Sequence, residues 1–281
     1  MKPVLAVHGI RNLRAAEEPD VAATTLAAPW QMRLAEGFRA AGLDTAPPPV
    51  VVAYYAHLLT DQEIQGSPQR NLERLTPLEA VVVREWLRAV GVPESDERQG
   101  WSTAPLRQWL DWLARRQGTT FDVLARIAVA MAREVTCYLT RPQRRRAARE
   151  VVASAIERHR PAVVVAHSLG SVVTFEALHA YPEVQVDLLV TVGSPLGLPV
   201  AIFDALEPEP VRGQGARPPG VKHWINLADP GDVVALPLRL GDRFPVDRHE
   251  QCVVGKIDFH TLGAYLSHPV TARTIASATP R

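Results

Sequence analysis

The chain has 281 residues, 47% of them hydrophobic and 22% charged, with a formal net charge of +1. This is ordinary soluble globular composition, which excludes fibrous, low-complexity and disordered classes. A balance this close to neutral also lacks the overall field that would steer a protein to phosphate, so no nucleic-acid partner is expected.

In chain order, Lys2-Pro3-Val4-Leu5-Ala6-Val7 enters a strand almost at once, with no basic region, apolar run and cleavage site ahead of it. No later apolar run reaches membrane-spanning length, and a cytoplasmic, soluble protein is the expectation. Strand-like segments over 3–7, 49–55, 162–167, 186–192 and 221–227 alternate with helical ones. The alternation predicts an α/β fold, a mostly parallel central sheet flanked by helices. The first helix is predicted over Ala28 to Ala41, stopping at Gly42, and Pro47-Pro48-Pro49 then delivers the chain into Val50.

Between Tyr55 and Pro142 strand signals stop and helix signals replace them. Thr76-Pro77-Leu78-Glu79 reads as a capping box with proline at the first helical position, followed by Leu78, Val81, Val82 and Trp86 on one face. Leu106, Trp109, Leu110 and Leu113 repeat at helical spacing. A third helix carries Phe121, Leu124, Ala125, Ala128 and Val135 and must end before Pro142. A fourth runs from Arg141 to His159. Residues 1–56 and 142–281 are thus assigned to the core, and 57–141 to a helical cap or lid. Trp101, Trp109 and Trp112 either pack the cap onto the core or line an apolar acyl pocket. Arg141, Arg144, Arg145 and Arg146 read as a solvated basic face. Cys137 and Cys252, the only cysteines, offer neither a metal spacing nor a disulfide framework, which suits a reducing compartment. Arginine far outnumbers lysine, and alanine and proline abound, as in a GC-rich bacterial sequence.

The segment Val163-Val164-Val165-Ala166-His167-Ser168-Leu169-Gly170-Ser171 carries the chemistry. Three β-branched residues make a buried parallel strand, and a helix follows until Pro182. A serine at such a turn has its hydroxyl lifted clear of the backbone at a helix N-terminus, as a nucleophile requires. The usual pattern is G-x-S-x-G, and Ala166 stands at the first glycine, the smallest departure available. The competing reading is a serine that merely caps the helix.

A serine nucleophile needs a base, and the base an orienting anion. Asp232 follows the strand over 221–227 and precedes apolar Val233 and Val234; Asp229, in an Asp-Pro-Gly turn, is the alternative acid. His260 opens a helix near the C-terminus and is the expected base, with His249 and His268 as nearby alternatives. His249 falls in a charged loop on this reading, His268 before Pro269 and His223 within a strand. His167, expected to point away from the serine hydroxyl, reads as a packing residue. For the oxyanion hole the donors are the N–H of Leu169 and that of Ile10 in the loop Val7-His8-Gly9-Ile10. Gly9 permits the turn, His8 shapes the loop, and Arg11 either meets a substrate anion or sits on the surface.

The segments V-L-A-V-H-G-I, V-V-V-A-H-S-L-G-S, T-V-G-S-P-L, D-V-V-A-L-P and H-T-L-G-A-Y-L together resemble the serine hydrolases of the α/β-hydrolase fold, on the lipase and esterase side. The order serine, acid, base is that family's order. The resemblance implies an α/β-hydrolase fold and a carboxylic-ester hydrolase acting through an acyl-enzyme on Ser168, with no metal or organic cofactor. The substrate implied is a small-molecule or lipid-like ester. Ser194, Pro195 and Leu196, on the loop after the next strand, would border the mouth of the site together with His8, Gly9, Arg11 and His167. The same machinery serves thioesterases, amidases, peptidases and acyltransferases, and a non-catalytic binding module is the alternative from another class.

Overall fold

The computed structural model describes residues 2–60, 66–93, 104–255 and 260–278. Six strands, β1 (Val4–Val7), β2 (Val50–Ala53), β3 (Val163–His167), β4 (Val186–Val192), β5 (Val221–Ala228) and β6 (Arg248–Gln251), form one all-parallel sheet. Their order is β2-β1-β3-β4-β5-β6. β1 and β3 are buried along their whole length, which is why both are continuous apolar runs rather than alternating ones.

Alternate residues feed two apolar clusters, as the period-2 pleat demands. Leu5, Val7, Val164, Ala166, Leu189 and Trp224 face one layer. Val4, Ala6, Val163, Val165, Val190 and Leu227 face the other, with α1 (Pro19–Ala40), α9 (Leu262–Ser267) and α10 (Pro269–Ala278). The first layer holds α2 (Ala56–Leu59), α3 (Pro68–Glu73), α4 (Pro77–Ala89), α5 (Ala104–Gln117), α6 (Phe121–Thr140), α7 (Pro142–His159) and α8 (Leu169–Ala180).

Helix α1 begins well before the expected Ala28. Its buried residues Ala22, Leu26, Trp30, Leu34 and Phe38 keep one face across Pro29, so burial of that stripe overrides the local cost of an interior proline. β6 was not expected at all. Its sequence Arg-His-Glu-Gln has no apolar alternation, and it is an edge strand whose charged side chains guard the open edge. His249 therefore lies on a strand, not in a loop, with Nδ1 3.0 Å from Asn226 Nδ2.

The capping box of α4 is complete: Glu79 N–H donates to Thr76 Oγ1 at 3.4 Å and Thr76 N–H to Glu79 Oε2 at 2.8 Å. Its buried face is Val82, Val83, Trp86 and Leu87, rotated from the expected one, and Leu78 is exposed. The helices of the 57–141 segment share one continuous apolar cluster with the sheet. Trp86 Nε1 donates to Val233 O at 2.8 Å, tying α4 to the loop after β5. Trp109 and Trp112 pack against this cluster, Trp112 under the guanidinium of Arg116; Trp101 lies outside the described residues.

The basic run is not uniformly solvated. Arg141 and Arg146 are exposed, but Arg145 is buried. It and Arg149 bind the carboxylate of the fully buried Glu176, which also accepts the Tyr138 hydroxyl at 2.5 Å. A buried carboxylate needs partners of this kind. Both cysteines are buried and neither forms a disulfide. Among the described residues no helix is long and apolar enough to cross a membrane.

Candidate active site

Ser168 stands between β3 and α8 with φ 52° and ψ −130°. A non-glycine residue there carries backbone strain of about 1–3 kcal/mol, the kind found where a side chain must be presented. The turn is tight because α8 passes directly over the end of β1. A Cβ on Gly170 would lie 2.4 Å from His8 O and 2.6 Å from Val7 O, and one on Gly9 would lie 2.5 Å from Ser168 Cβ. Ala166 is fully buried opposite Val7 and Thr191, with room for its methyl.

The hydroxyl of Ser168 makes no cap bond to α8. It lies 2.9 Å from Nε2 of His260 instead. Nδ1 of His260 is 2.9 Å from both Oδ1 and Oδ2 of Asp232. A carboxylate accepts, so its contact places the proton on Nδ1 and leaves Nε2 to accept from the serine. Asp232 is buried, and it also accepts Val234 N–H at 3.0 Å and the Tyr265 hydroxyl at 2.8 Å.

Asp229 does different work. Its Oδ1 accepts Gly231 N–H and its Oδ2 accepts Val254 N–H, each at 2.7 Å, so it closes its own turn and ties on the segment after β6. The other histidines named above are also elsewhere. His223 is exposed on β5, and His268 ends α9, where its Nδ1 accepts Val270 N–H at 3.2 Å.

His167 does not point into remote packing. Its ring centroid is 4.7 Å from that of His260, and its buried Nε2 has no partner. Burial, then the neighbouring His260 and His8, hold its pKa well below the usual value, so it is neutral. His8 is fully buried, stacked on Tyr55 at 4.1 Å, and burial pushes its pKa down to about 4. Its Nδ1 donates to Gly9 O at 2.8 Å and its Nε2 accepts Tyr55 N–H at 3.1 Å, which makes it a strut of the loop.

That loop is clamped peptide by peptide. Gly9 O accepts from His8 Nδ1 and, at 3.0 Å, from Asn12 Nδ2. In a planar trans peptide the next N–H points opposite to the carbonyl, so the direction of Ile10 N–H is fixed. Ile10 O accepts from Asn12 Nδ2 at 2.9 Å, and Arg11 N–H donates to Glu134 Oε1 at 2.9 Å, which holds Arg11 at φ 66°. Among the described residues neither Ile10 N–H nor Leu169 N–H donates to an acceptor in the chain. Glu134, on α6, is buried, and desolvation raises its pKa to about 7.

A cleft of about 240 Å³ opens beside this group, lined by Ile10, Arg11, Asn12, Ile127, His167 and His260 among others. Trp30 of α1 also lines it; Trp109 and Trp112 do not. Ser194, Pro195 and Leu196, expected at the mouth, are buried and outside this lining. Ser194 Oγ lies 2.7 Å from Ser171 Oγ and accepts Leu196 N–H at 3.3 Å, so this loop braces α8. A larger groove of about 800 Å³ involves Lys2, Asp187, Lys222 and Arg248, at the N-terminal end of the strands. Ligands of open parallel sheets bind at the opposite, C-terminal end, where Ser168, Asp232 and the Gly9 loop sit. Among the described residues no group of three or more His, Cys, Asp or Glu side chains could hold a metal ion.

Three residues of the site had no role assigned from the sequence: Asn12, Glu134 and Tyr265. Glu134 alone leaves a signal there, because it lies three residues from Met131 and four from Tyr138 on the otherwise apolar stripe of α6.

Comparison with models of protein families, with curated proteins and with solved structures finds no match for this chain. What stands is a parallel-sheet α/β protein. At the C-terminal edge of its sheet a serine, a histidine and an aspartate share an unbroken hydrogen-bonded line.

Proposed function

We propose that the protein is a serine hydrolase of the α/β-hydrolase kind, cleaving a carboxylic ester through an acyl-enzyme on Ser168. One observation carries the reading: the Ser168–His260–Asp232 line, 2.9 Å at each contact, on a serine with a strained backbone whose base, His260, lines the cleft.

In this mechanism Ser168 Oγ attacks the ester carbonyl while its proton passes to His260 Nε2. The imidazolium is stabilised by Asp232, which Tyr265 and Val234 N–H hold in place. The tetrahedral oxyanion is received by the N–H groups of Leu169 and Ile10, preorganised by the helix start and by Asn12. Collapse breaks the bond to the alcohol, which leaves with the proton from His260. Water then attacks the acyl-enzyme, gives a proton to His260, and the carboxylic acid departs as Ser168 Oγ recovers its proton.

The 57–141 segment acts as a cap in this reading, since Ile127 of α6 lines the cleft. The small cleft, with Arg11, Asn12 and two histidines on its wall, favours a short acyl chain over a long lipid one. p-Nitrophenyl acetate, butyrate and octanoate test both points. The expected result is turnover that favours the two shorter esters, and a fall of about 10⁴-fold or more in Ser168→Ala. Undiminished hydrolysis by Ser168→Ala contradicts the reading.

A further inference from the structure

Arg11, on the wall of the cleft, and Arg126, near it on α6, are both exposed and have no carboxylate partner among the described residues. Arg11 lines it beside His260, and among the described residues no carboxylate lies within ion-pair distance of its guanidinium. Arg126, next to the cleft-lining Ile127 on α6, pairs with no carboxylate among the described residues and lies close enough to disfavour the positive charge on Arg11.

The nearby carboxyl, Glu134, does not balance this charge. Its Oε1 is committed to Arg11 N–H, and with a pKa pushed up to about 7 it is only partly ionised at neutral pH. Two guanidiniums against one partly ionised carboxyl leave the rim positive. The backbone of Arg11 is meanwhile locked at φ 66° by Glu134 on one side and Asn12 on the other. A strained residue whose backbone is held so firmly, with its guanidinium on the cleft wall beside His260, points to a ligand contact. His167 adds an unpartnered ring nitrogen to the same wall while remaining only 5% exposed.

We infer that the cleft selects esters whose acyl half ends in a carboxylate, bound by Arg11 with Arg126 behind it. The inference rests on the assignment of Ser168 as nucleophile and adds the substrate class. A guanidinium matches a planar carboxylate through two parallel N–H bonds. At about 240 Å³ the cleft is below the usual range for drug-sized ligands, so the acyl chain is a few carbons long.

The test is equilibrium binding to Ser168→Ala protein, followed by NMR titration, with monomethyl succinate against its neutral counterpart methyl butyrate. Because no turnover is needed, its outcome is separate from that of the nucleophile, which ester hydrolysis reports. Monomethyl succinate is expected to bind about tenfold or more tightly, from one charge-assisted pair. In Ser168→Ala/Arg11→Gln the ratio should fall to within about twofold of unity, and Arg126→Gln should lower it less. Equal binding of the two esters, or a ratio that survives Arg11→Gln, overturns the inference. Displacement of monomethyl succinate more readily by inorganic phosphate than by acetate overturns the carboxylate assignment.

Discussion

The hydroxyl of Tyr265 donates to Oδ2 of Asp232 at 2.8 Å, and its oxygen accepts Asp229 N–H at 3.1 Å. One phenol thus links the two aspartates of the β5 loop and gives them different duties. Asp232 faces the imidazole, while Asp229 receives backbone amides. Burial and the Asp232 charge keep the phenol well above its ordinary pKa, so it remains a donor.

Replacing the two aspartates by asparagine should separate these duties. Asp232→Asn is expected to lower kcat for a p-nitrophenyl ester by about 10³–10⁴-fold with the fold intact. Asp229→Asn should mainly cost stability, on the order of 1–3 kcal/mol in urea unfolding, through its two backbone amides. A larger loss of kcat at Asp229 would reverse the assignment.

Tyr265→Phe removes the donor to Asp232 and leaves Asp229 N–H without its acceptor. A destabilisation of about 1–3 kcal/mol is expected. A fall in kcat of about tenfold should accompany it, from a less firmly held carboxylate. Unchanged kcat in a destabilised protein would show that Asp232 is oriented without the phenol.

Glu134 gives a pH signature. Its pKa is raised to about 7 from 4.5, so between those values the folded state binds more protons than the unfolded one. Its contribution to stability is therefore full below about pH 4.5 and is lost as pH rises toward 7, by roughly 3 kcal/mol at most. His8, pushed down to about 4, acts in the opposite direction over an overlapping range. The stability difference between wild type and Glu134→Gln removes that background and should decline across this window. A flat difference would mean that Glu134 is not buried as an acid. Glutamine still accepts Arg11 N–H, so Glu134→Gln should retain much more esterase activity than Glu134→Ala.

Glu176 anchors Arg145, Arg149 and the Tyr138 hydroxyl far from the serine. Glu176→Ala removes their buried partner and leaves Arg145 and Arg149 only the exposed Glu207, and should cost about 3–5 kcal/mol by chemical denaturation. A loss below about 1 kcal/mol would show that Glu207 and water suffice to neutralise the two arginines.

Much of the sheet was legible because Val163-Val164-Val165 and Val4-Leu5-Ala6-Val7 state their burial directly. Thr76 and Glu79 marked a helix start by chemistry confined to four residues. β6 was hidden because its pairing comes from β5, not from its own polar residues. The start of α1 was not legible because the stripe Ala22, Leu26 and Trp30 that carries it across Pro29 is defined by burial against the sheet. Arg145 looked solvated for want of its partner, 31 residues away. The candidate serine, acid and base could be named from the order of their segments. The clamp on the oxyanion loop could not, since Arg11 and Glu134 meet across 123 residues.

Intact-protein mass spectrometry after exposure to a fluorophosphonate, with peptide mapping of the adduct, tests Ser168 most directly. One phosphonyl adduct on Ser168 is expected, absent in Ser168→Ala and much slowed in His260→Ala. An unmodified wild-type protein, or an adduct on any other residue, would contradict the assignment of Ser168 as nucleophile.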